Sequence, residues 1–135
     1  MDIIAYEELK NGLIAFNERA NKPYGNSVVS YPTANPTYPL TVFDEIRNVA
    51  NPSFNTNYER VASTGYSVKI YAKTKGNITK QFIARTIAQM VDTYCTNCGL
   101  TRISYNANDN VNDSSIYEII MTYSGNLHEN KRKFI

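Results

Sequence analysis

The distribution of prolines constrains this fold more than any other feature of the sequence. All five prolines lie between Pro23 and Pro52, a window of thirty residues. Proline lacks a backbone N–H, clashes with the preceding helical turn and biases the residue before it towards extended backbone. The window therefore cannot contain a long helix, and long helices are expected only before and after it.

The first helix is predicted over residues 3–20, immediately before the window. Asp2 can cap its start, and Asn21-Lys22-Pro23 stops it. Apolar residues recur along it at near-helical spacing: Ile3, Ile4, Leu9, Leu13, Ile14 and Phe16.

A second helix is predicted over residues 79–97. Asn77 or Thr79 can supply its N-cap, and Gly99 suits the left-handed residue that follows a last turn. A single broad apolar stripe runs along it, formed by Phe82, Ile83, Thr86, Ile87, Met90, Val91 and Tyr94.

Four strands are predicted in the rest of the chain, over residues 40–47, 65–73, 100–106 and 116–124, with a short extended piece at Val28-Val29. Alternation places one set of side chains on a common face: Tyr66, Val68, Ile70, Ala72, Tyr117, Ile119, Met121 and Tyr123. We therefore predict an α+β fold, an antiparallel or mixed sheet of four to five strands with two helices on one face.

Composition bounds the class of protein. Hydrophobic residues make up 42% and charged residues 19% of the 135 residues, which is typical of a globular domain. The formal net charge of +2 is too small for a chain that coats nucleic acid or anionic lipid. No apolar run approaches the ~20 residues of a membrane span, and Met1-Asp2-Ile3-Ile4 lacks the basic start of a signal peptide. We expect one domain, residues 1–135, made and kept in a cytoplasm.

Three segments exceed what a compact core needs. Residues 48–65 form a polar eighteen-residue link between two predicted strands, which is long for a single domain. We interpret this link as either mobile or an extended hairpin arm that packs against another chain. The same question applies to residues 21–39, while residues 126–135 are predicted to form a polar basic tail.

Candidate chemical sites are few. Cys95 and Cys98 are the only cysteines and His128 the only histidine, so no closed zinc site can be built from Cys and His. The cysteine pair lies in the last turn of the second helix, whose dipole should raise the thiol pKa, so a structural role with at least one inward thiol is expected. The oxygen-rich residues 108–113 lack the spacing of a calcium loop and favour a hairpin turn. We therefore predict no catalytic residue, metal or cofactor.

The order and lengths of the elements resemble one known family over nearly the whole chain. The segments that carry the resemblance are Tyr31-Pro32, Tyr38-Pro39-Leu40, the strand Thr41–Ile46, the strand Tyr66–Ala72, the helix ending at Gly99 and the closing strand Ile116–Gly125. This order is similar to that of the tail terminator (tail completion, head–tail joining) proteins of long-tailed bacteriophages.

The resemblance implies a structural role. Members of that family form a hexameric ring that caps the tail tube, ends its growth and provides a surface for joining to the head. The implied partners are other copies of the chain, the tail tube protein and head–tail connector proteins, with DNA only passing through the ring and no membrane. The implied location is the virion tail at the head–tail junction, after assembly in the host cytoplasm.

Interface residues follow from the long polar segments and from that ring. In a ring each contact is heterologous, so one subunit's arm meets a different patch on its neighbour. We expect Phe54 and Tyr58 to anchor an arm over residues 48–65, because aromatic side chains carry interface energy best. Tyr31 and Tyr38 are the next candidates.

Two alternatives of other classes stay open. One is a small nucleic-acid-binding module that uses the sheet tyrosines and the basic tail around Lys131-Arg132-Lys133. The other is a small enzyme with a pocket between the second helix and the sheet, although the sequence offers it no base or nucleophile.

Overall fold

Two helices lie on one face of a mixed sheet. The computed structural model describes residues 5–32, 34–50, 61–128 and 133–134. The helices are α1 (Ala5–Arg19) and α2 (Lys80–Asn97), and the strands are β1 (Ser27–Val29), β2 (Leu40–Ala50), β3 (Val61–Ala72), β4 (Thr101–Asp109), β5 (Tyr117–His128) and β6 (Lys133–Phe134). A single 3₁₀ turn, Pro23–Gly25, separates α1 from β1.

The sheet has the strand order β1-β2-β3-β5-β4, and β6 pairs with the end of β5. β1 runs parallel to β2, whereas every other pair is antiparallel. The predicted α+β class, with a mixed sheet and two helices on one face, is confirmed. Both predicted helices and all four predicted strands are present, and the extended piece at Val28-Val29 is β1.

The predicted core face of the sheet is confirmed. Every side chain assigned to it on β3 and β5 is buried, and Phe43 joins the core from β2. The helices cover this face with Leu9 and Leu13 from α1 and with six residues of α2: Ile83, Ala84, Ile87, Ala88, Val91 and Cys95. Removing this much apolar surface from water is the main free-energy gain of the fold.

The buried stripe on α2 is rotated from the predicted one along the helix, so that Thr86, Met90 and Tyr94 of the predicted stripe are only half-buried. Phe82 is 58% exposed, although the sequence pattern placed it in the stripe. The small side chains of Ala84 and Ala88 face the sheet instead, and Phe82 meets the ring of Tyr24 edge-on with centroids 6.5 Å apart. Alanine is only weakly hydrophobic and so contributes little to an apolar sequence pattern, but its small side chain allows a helix to pack close to a sheet.

The ends of α2 follow the predicted capping chemistry. The Thr79 hydroxyl accepts a hydrogen bond from the Phe82 N–H at 3.2 Å, so Thr79 is the N-cap. Gly99 has φ +91°, and the N–H groups of Gly99 and Leu100 bond the carbonyls of Thr96 and Cys95. This is a Schellman ending, and it explains why glycine follows the helix.

Close approach of α1 and α2 depends on Gly12. A Cβ atom at this position would lie 2.2 Å from the Tyr94 hydroxyl oxygen. With no side chain there, the Tyr94 hydroxyl reaches the Leu9 carbonyl and donates a hydrogen bond of 2.7 Å. The two helices are therefore joined by a polar contact that the apolar pattern of the sequence does not indicate.

The strands extend further than the sequence pattern indicates. β2 and β3 stay paired to Ala50↔Ala62, and β5 continues to His128. The two ends of the segment predicted as an arm are therefore paired antiparallel strands. Residues 51–60, between these ends, lie outside the described residues. Within the segment predicted as a basic tail, residues 126–128 belong to β5 and residues 133–134 form β6.

Candidate assembly surfaces

The cysteine pair is part of the core rather than of an open site. Cys95 is fully buried and Cys98 is half-buried, and neither forms a disulfide. Burial raises the pKa of both thiols, and the neighbouring Cys98 raises the pKa of Cys95 further. The expected direction is confirmed, but desolvation is the main cause rather than the helix dipole. In the described parts of the chain, no three His, Cys, Asp or Glu side chains come together as metal ligands.

The oxygen-rich segment is a hairpin turn, as predicted. The Asn110 side-chain oxygen accepts from the N–H groups of Asn112 and Asp113. The Asp113 carboxylate accepts from the Ser115 N–H at 3.0 Å and from its hydroxyl at 2.7 Å. These oxygens stabilise the connection between β4 and β5, which is the ordinary role of Asn and Asp in turns.

The tyrosines before β2 have different environments. Tyr31 is 75% exposed and projects from the connection between β1 and β2. Tyr38 is half-buried, and the Lys73 ammonium lies 4.9 Å from the centre of its ring. Tyr31 is thus free to meet another chain, whereas Tyr38 is engaged within its own. Phe54 and Tyr58 lie outside the described residues.

The sheet continues beyond its apolar core. We call the continuation, residues 48–50, 61–64, 126–128 and 133–134, the sheet extension. No described member of the buried apolar cluster lies in it; the cluster ends at Tyr66 on β3 and at Tyr123 on β5. Its strands are joined by the backbone ladder and by the Thr64 hydroxyl, which donates 2.9 Å to the Gly125 carbonyl.

Both long edges of the sheet are incomplete. β1 pairs only with Leu40–Val42, and beyond this point no described strand pairs with the outer edge of β2. The outer edge of β4 also lacks a partner among the described strands. Each edge has a register shift next to an exposed isoleucine: Ile46 on β2 is 57% exposed and Ile103 on β4 is 62% exposed. Bulges of this kind discourage strand-to-strand pairing at an edge.

A cleft of about 170 Å³ lies between α2 and β4. The Arg102 guanidinium lies 3.5 Å from the Asp92 carboxylate and 5.7 Å from the centre of the Tyr105 ring. The same carboxylate oxygen of Asp92 accepts 2.7 Å from the Tyr123 hydroxyl. The cleft is lined by Arg85, Ala88, Gln89, Asp92, Arg102, Tyr105 and Met121. The sequence left open a pocket between the second helix and the sheet but named none of its lining residues, because α2 and β4 contribute them from separate parts of the chain.

Acidic residues gather where α1 meets β2. The Tyr6 ring stacks on Phe43 with centroids 5.6 Å apart, and its hydroxyl donates to the Phe43 carbonyl. This contact places the first turn of α1 near β2, and after burial the carboxylates of Asp44 and Glu7 also raise the pKa of the Tyr6 hydroxyl. Burial raises the pKa of Glu45, and the nearby Asp44 carboxylate raises it further. Lys10 partly balances the group through Glu7, whose carboxylate is 3.1 Å from its ammonium.

The tyrosines of the sheet do not form a platform for bases. Tyr66, Tyr117 and Tyr123 are buried beneath the helices, and Tyr71 on the opposite face is half-buried. Stacking on nucleic-acid bases needs exposed ring faces. The structure therefore gives no support to a nucleic-acid groove built from these residues.

Comparison with known proteins is informative at the level of the fold. No family model matches the sequence, and no curated protein matches it. A solved structure with a similar fold is a chain in the "Virion of native gene transfer agent (GTA) particle". The two chains are 8% identical, the TM-score is 0.51, and the match covers 91% of each. Neither described helix is long and apolar enough to cross a membrane.

Proposed function

We propose that this chain is a structural protein of a phage-like virion. The observation that carries the proposal is the shared fold with a chain of a virion particle, which extends over 91% of both chains rather than over one motif. The proposal places the protein in the assembled particle.

Features of the surface support an assembly role. The sheet extension lies beyond the apolar core, two sheet edges are incomplete, and Tyr31 is exposed. An open strand edge and an exposed aromatic ring are both groups on which another chain can pack. Contacts with further copies or with other virion proteins would cover these groups.

The finer part of the proposal is the position in the virion. The order of elements resembles tail terminator proteins, and on that basis we infer a hexameric ring that caps the tail tube. The ring ends tube polymerisation and presents a surface to the head–tail connector proteins. DNA passes through its centre without a dedicated binding groove, and the protein has no catalytic task.

The test of the ring is the mass and shape of the purified full-length protein. Native mass spectrometry and analytical ultracentrifugation are expected to give a closed oligomer, and negative-stain images an annulus with a central channel. A monomer at every concentration up to millimolar would overturn the ring. Filter binding to duplex and single-stranded DNA tests the alternative: micromolar affinity with a steep dependence on salt would favour a nucleic-acid module instead.

The anchoring residues are tested in the same assay. We expect Phe54→Ala with Tyr58→Ala to weaken ring assembly strongly, because truncation of central aromatic residues often costs about 2 kcal/mol or more per residue at an interface. Tyr31→Ala tests the second candidate surface separately. Unchanged assembly of the Phe54→Ala, Tyr58→Ala double variant would show that the arm assignment is wrong.

A further inference from the structure

Two surfaces of opposite charge lie on opposite sides of this molecule. We call Glu7, Asp44 and Glu45 the acidic edge, and Arg85 and Arg102 the basic edge. The acidic edge belongs to α1 and β2, and the basic edge belongs to α2 and β4. In the strand order β1-β2-β3-β5-β4, two strands separate β2 from β4. The two edges therefore cannot meet within one subunit.

The basic edge combines charge with a concave shape. Arg85 is exposed on α2, and within the described residues it forms no ion pair or hydrogen bond. Arg102 is 45% exposed, and Asp92 satisfies it only partly because that carboxylate also accepts from Tyr123. The two arginines line one cleft with an apolar floor, Ala88 and Met121. A carboxylate entering this cleft would meet two guanidinium groups.

The acidic edge has the complementary character. Glu7 and Asp44 are exposed, and Glu45 is half-buried. Two basic residues lie nearby, since Lys10 pairs with Glu7 and Arg47 donates 3.2 Å to the Thr64 carbonyl. Within the described residues neither cation forms an ion pair with Asp44 or Glu45, so these two carboxylates stay available to a cation of another chain.

The shape of the two edges determines how they can meet. A continuous sheet from β2 of one copy to β4 of another is disfavoured, because both edges carry a bulge. The Phe43 carbonyl at the acidic edge is already occupied by the Tyr6 hydroxyl. Side-chain contact remains open, and each edge offers an exposed isoleucine beside its charges, Ile46 and Ile103.

We propose that the acidic edge of one copy docks on the basic edge of the next, with Glu45 on the helix-covered side of β2 facing Arg85 and Arg102, with Asp44 adding negative charge from the other side of the strand, and with Ile46 near Ile103. The contact is heterologous, so repetition of it closes a ring when the rotation between copies allows. This inference rests on the proposed ring and names the surfaces that join its subunits. Charge complementarity gives the contact its direction, because two like edges repel.

The decisive experiment is reciprocal charge reversal in the full-length protein. Asp44→Lys with Glu45→Lys makes both edges basic, and Arg85→Glu with Arg102→Glu makes both edges acidic. Each variant alone is expected to lose self-association by at least about tenfold, because like charges then face each other. An equimolar mixture is expected to recover oligomers in which the two variants alternate, which native mass spectrometry reads directly from the mass difference.

Matched controls separate this contact from other causes. Lys69→Glu changes an exposed charge on the uncovered face of β3, away from both edges, and should assemble like the parent protein. Arg85→Glu alone reverses one charge of the basic edge and leaves the Arg102–Asp92 contact unchanged. Thermal unfolding shows whether each variant is folded. Raising NaCl from about 50 to about 500 mM should weaken the parent assembly, because exposed charge pairs are screened.

The outcomes distinguish the two proposals. A parent protein that never assembles overturns the ring itself. A parent protein that assembles, together with folded reversal variants that also assemble alone, leaves the ring standing and overturns the docking of these edges. Loss of assembly in both variants without recovery on mixing also overturns it, because complementary charges would then not be what joins the copies.

Discussion

The two faces of the sheet differ sharply, although the same strands build both. On β5, Ile119 is fully buried beneath the helices, whereas its neighbour Ile120 on the uncovered face is half-buried. On β3, Val68 is fully buried and Lys69 is exposed. The contrast shows that the helices, rather than the strands themselves, determine which side chains stabilise the fold.

The uncovered face is mostly polar near its centre. Ser67, Lys69 and Tyr71 of β3 pair with Thr122, Ile120 and Glu118 of β5. Such a face can be exposed to water in a single subunit, and covering it with another protein would cost little free energy. Paired substitutions on the two faces give a quantitative test of this difference.

The largest difference is expected between two adjacent isoleucines. Ile119→Ala should lower the free energy of unfolding by about 3–4 kcal/mol, because it leaves a cavity in a core with no solvent access. Ile120→Ala should cost about 1 kcal/mol, since this side chain keeps much of its contact with water. Urea unfolding of both variants measures the pair, and equal losses would mean that the uncovered face is covered in solution.

A second pair compares asparagines. Asn26 donates 3.1 Å to the Asn17 side-chain oxygen and accepts 2.9 Å from the Thr41 hydroxyl, and all three residues are buried. Asn26→Ala should cost about 2–3 kcal/mol, because two buried polar groups then lack a partner. Asn106→Ala on exposed β4 should change stability by less than about 0.5 kcal/mol. A small loss at Asn26 in thermal unfolding would indicate that water replaces its contacts.

A third pair concerns tyrosines and pH. Burial, followed by the hydrogen bond to Asp92, raises the pKa of Tyr123 above its usual value of 10.0, and burial raises the pKa of Tyr71 on the uncovered face. The unfolded chain therefore releases these protons at lower pH than the folded one, so stability is retained below about pH 9 and falls as the pH rises through about 10 and above. Tyr123→Phe should cost about 1 kcal/mol at neutral pH, because it removes the hydrogen bond to Asp92.

Unfolding curves measured between about pH 7 and about pH 10.5 then separate the two tyrosines. The decline in stability with pH should become shallower in Tyr123→Phe and should change less in Tyr71→Phe. It is not abolished in either variant, because burial also raises the pKa of Tyr94 and Cys95. An unchanged slope in Tyr123→Phe would show that its hydroxyl ionises freely in the folded protein.

Periodicity predicted the helices and the core face, because buried side chains recur every 3.6 residues along a helix and every 2 residues along a strand. It was less successful at the strand ends, where polar residues follow the apolar ones. β2 was predicted to end at residue 47 and ends at Ala50, and β3 was predicted to begin at residue 65 and begins at Val61. Asn48, Ser63 and Thr64 pair through backbone hydrogen bonds, and their polar side chains give no apolar pattern. The prediction that Phe82 is a core residue was wrong, because the helix buries the small side chains of Ala84 and Ala88 instead.

The interface assignments of Tyr31 and Tyr38 stay predictions: Tyr31 is exposed, and Tyr38 lies against the Lys73 ammonium. The role of Phe54 and Tyr58 stays a prediction. The basic edge was not predicted, because Arg85 and Arg102 are isolated charges in the sequence and become neighbours only when α2 and β4 pack together.

The sequence by itself determined the class of fold, the positions of the helices and the side chains of the core, because local propensity and burial act on each segment separately. The tertiary structure alone decided which strands are left with open edges and which distant charges share an edge. Those properties depend on strand order and helix placement, and a linear pattern contains no information about contacts that only the folded chain creates.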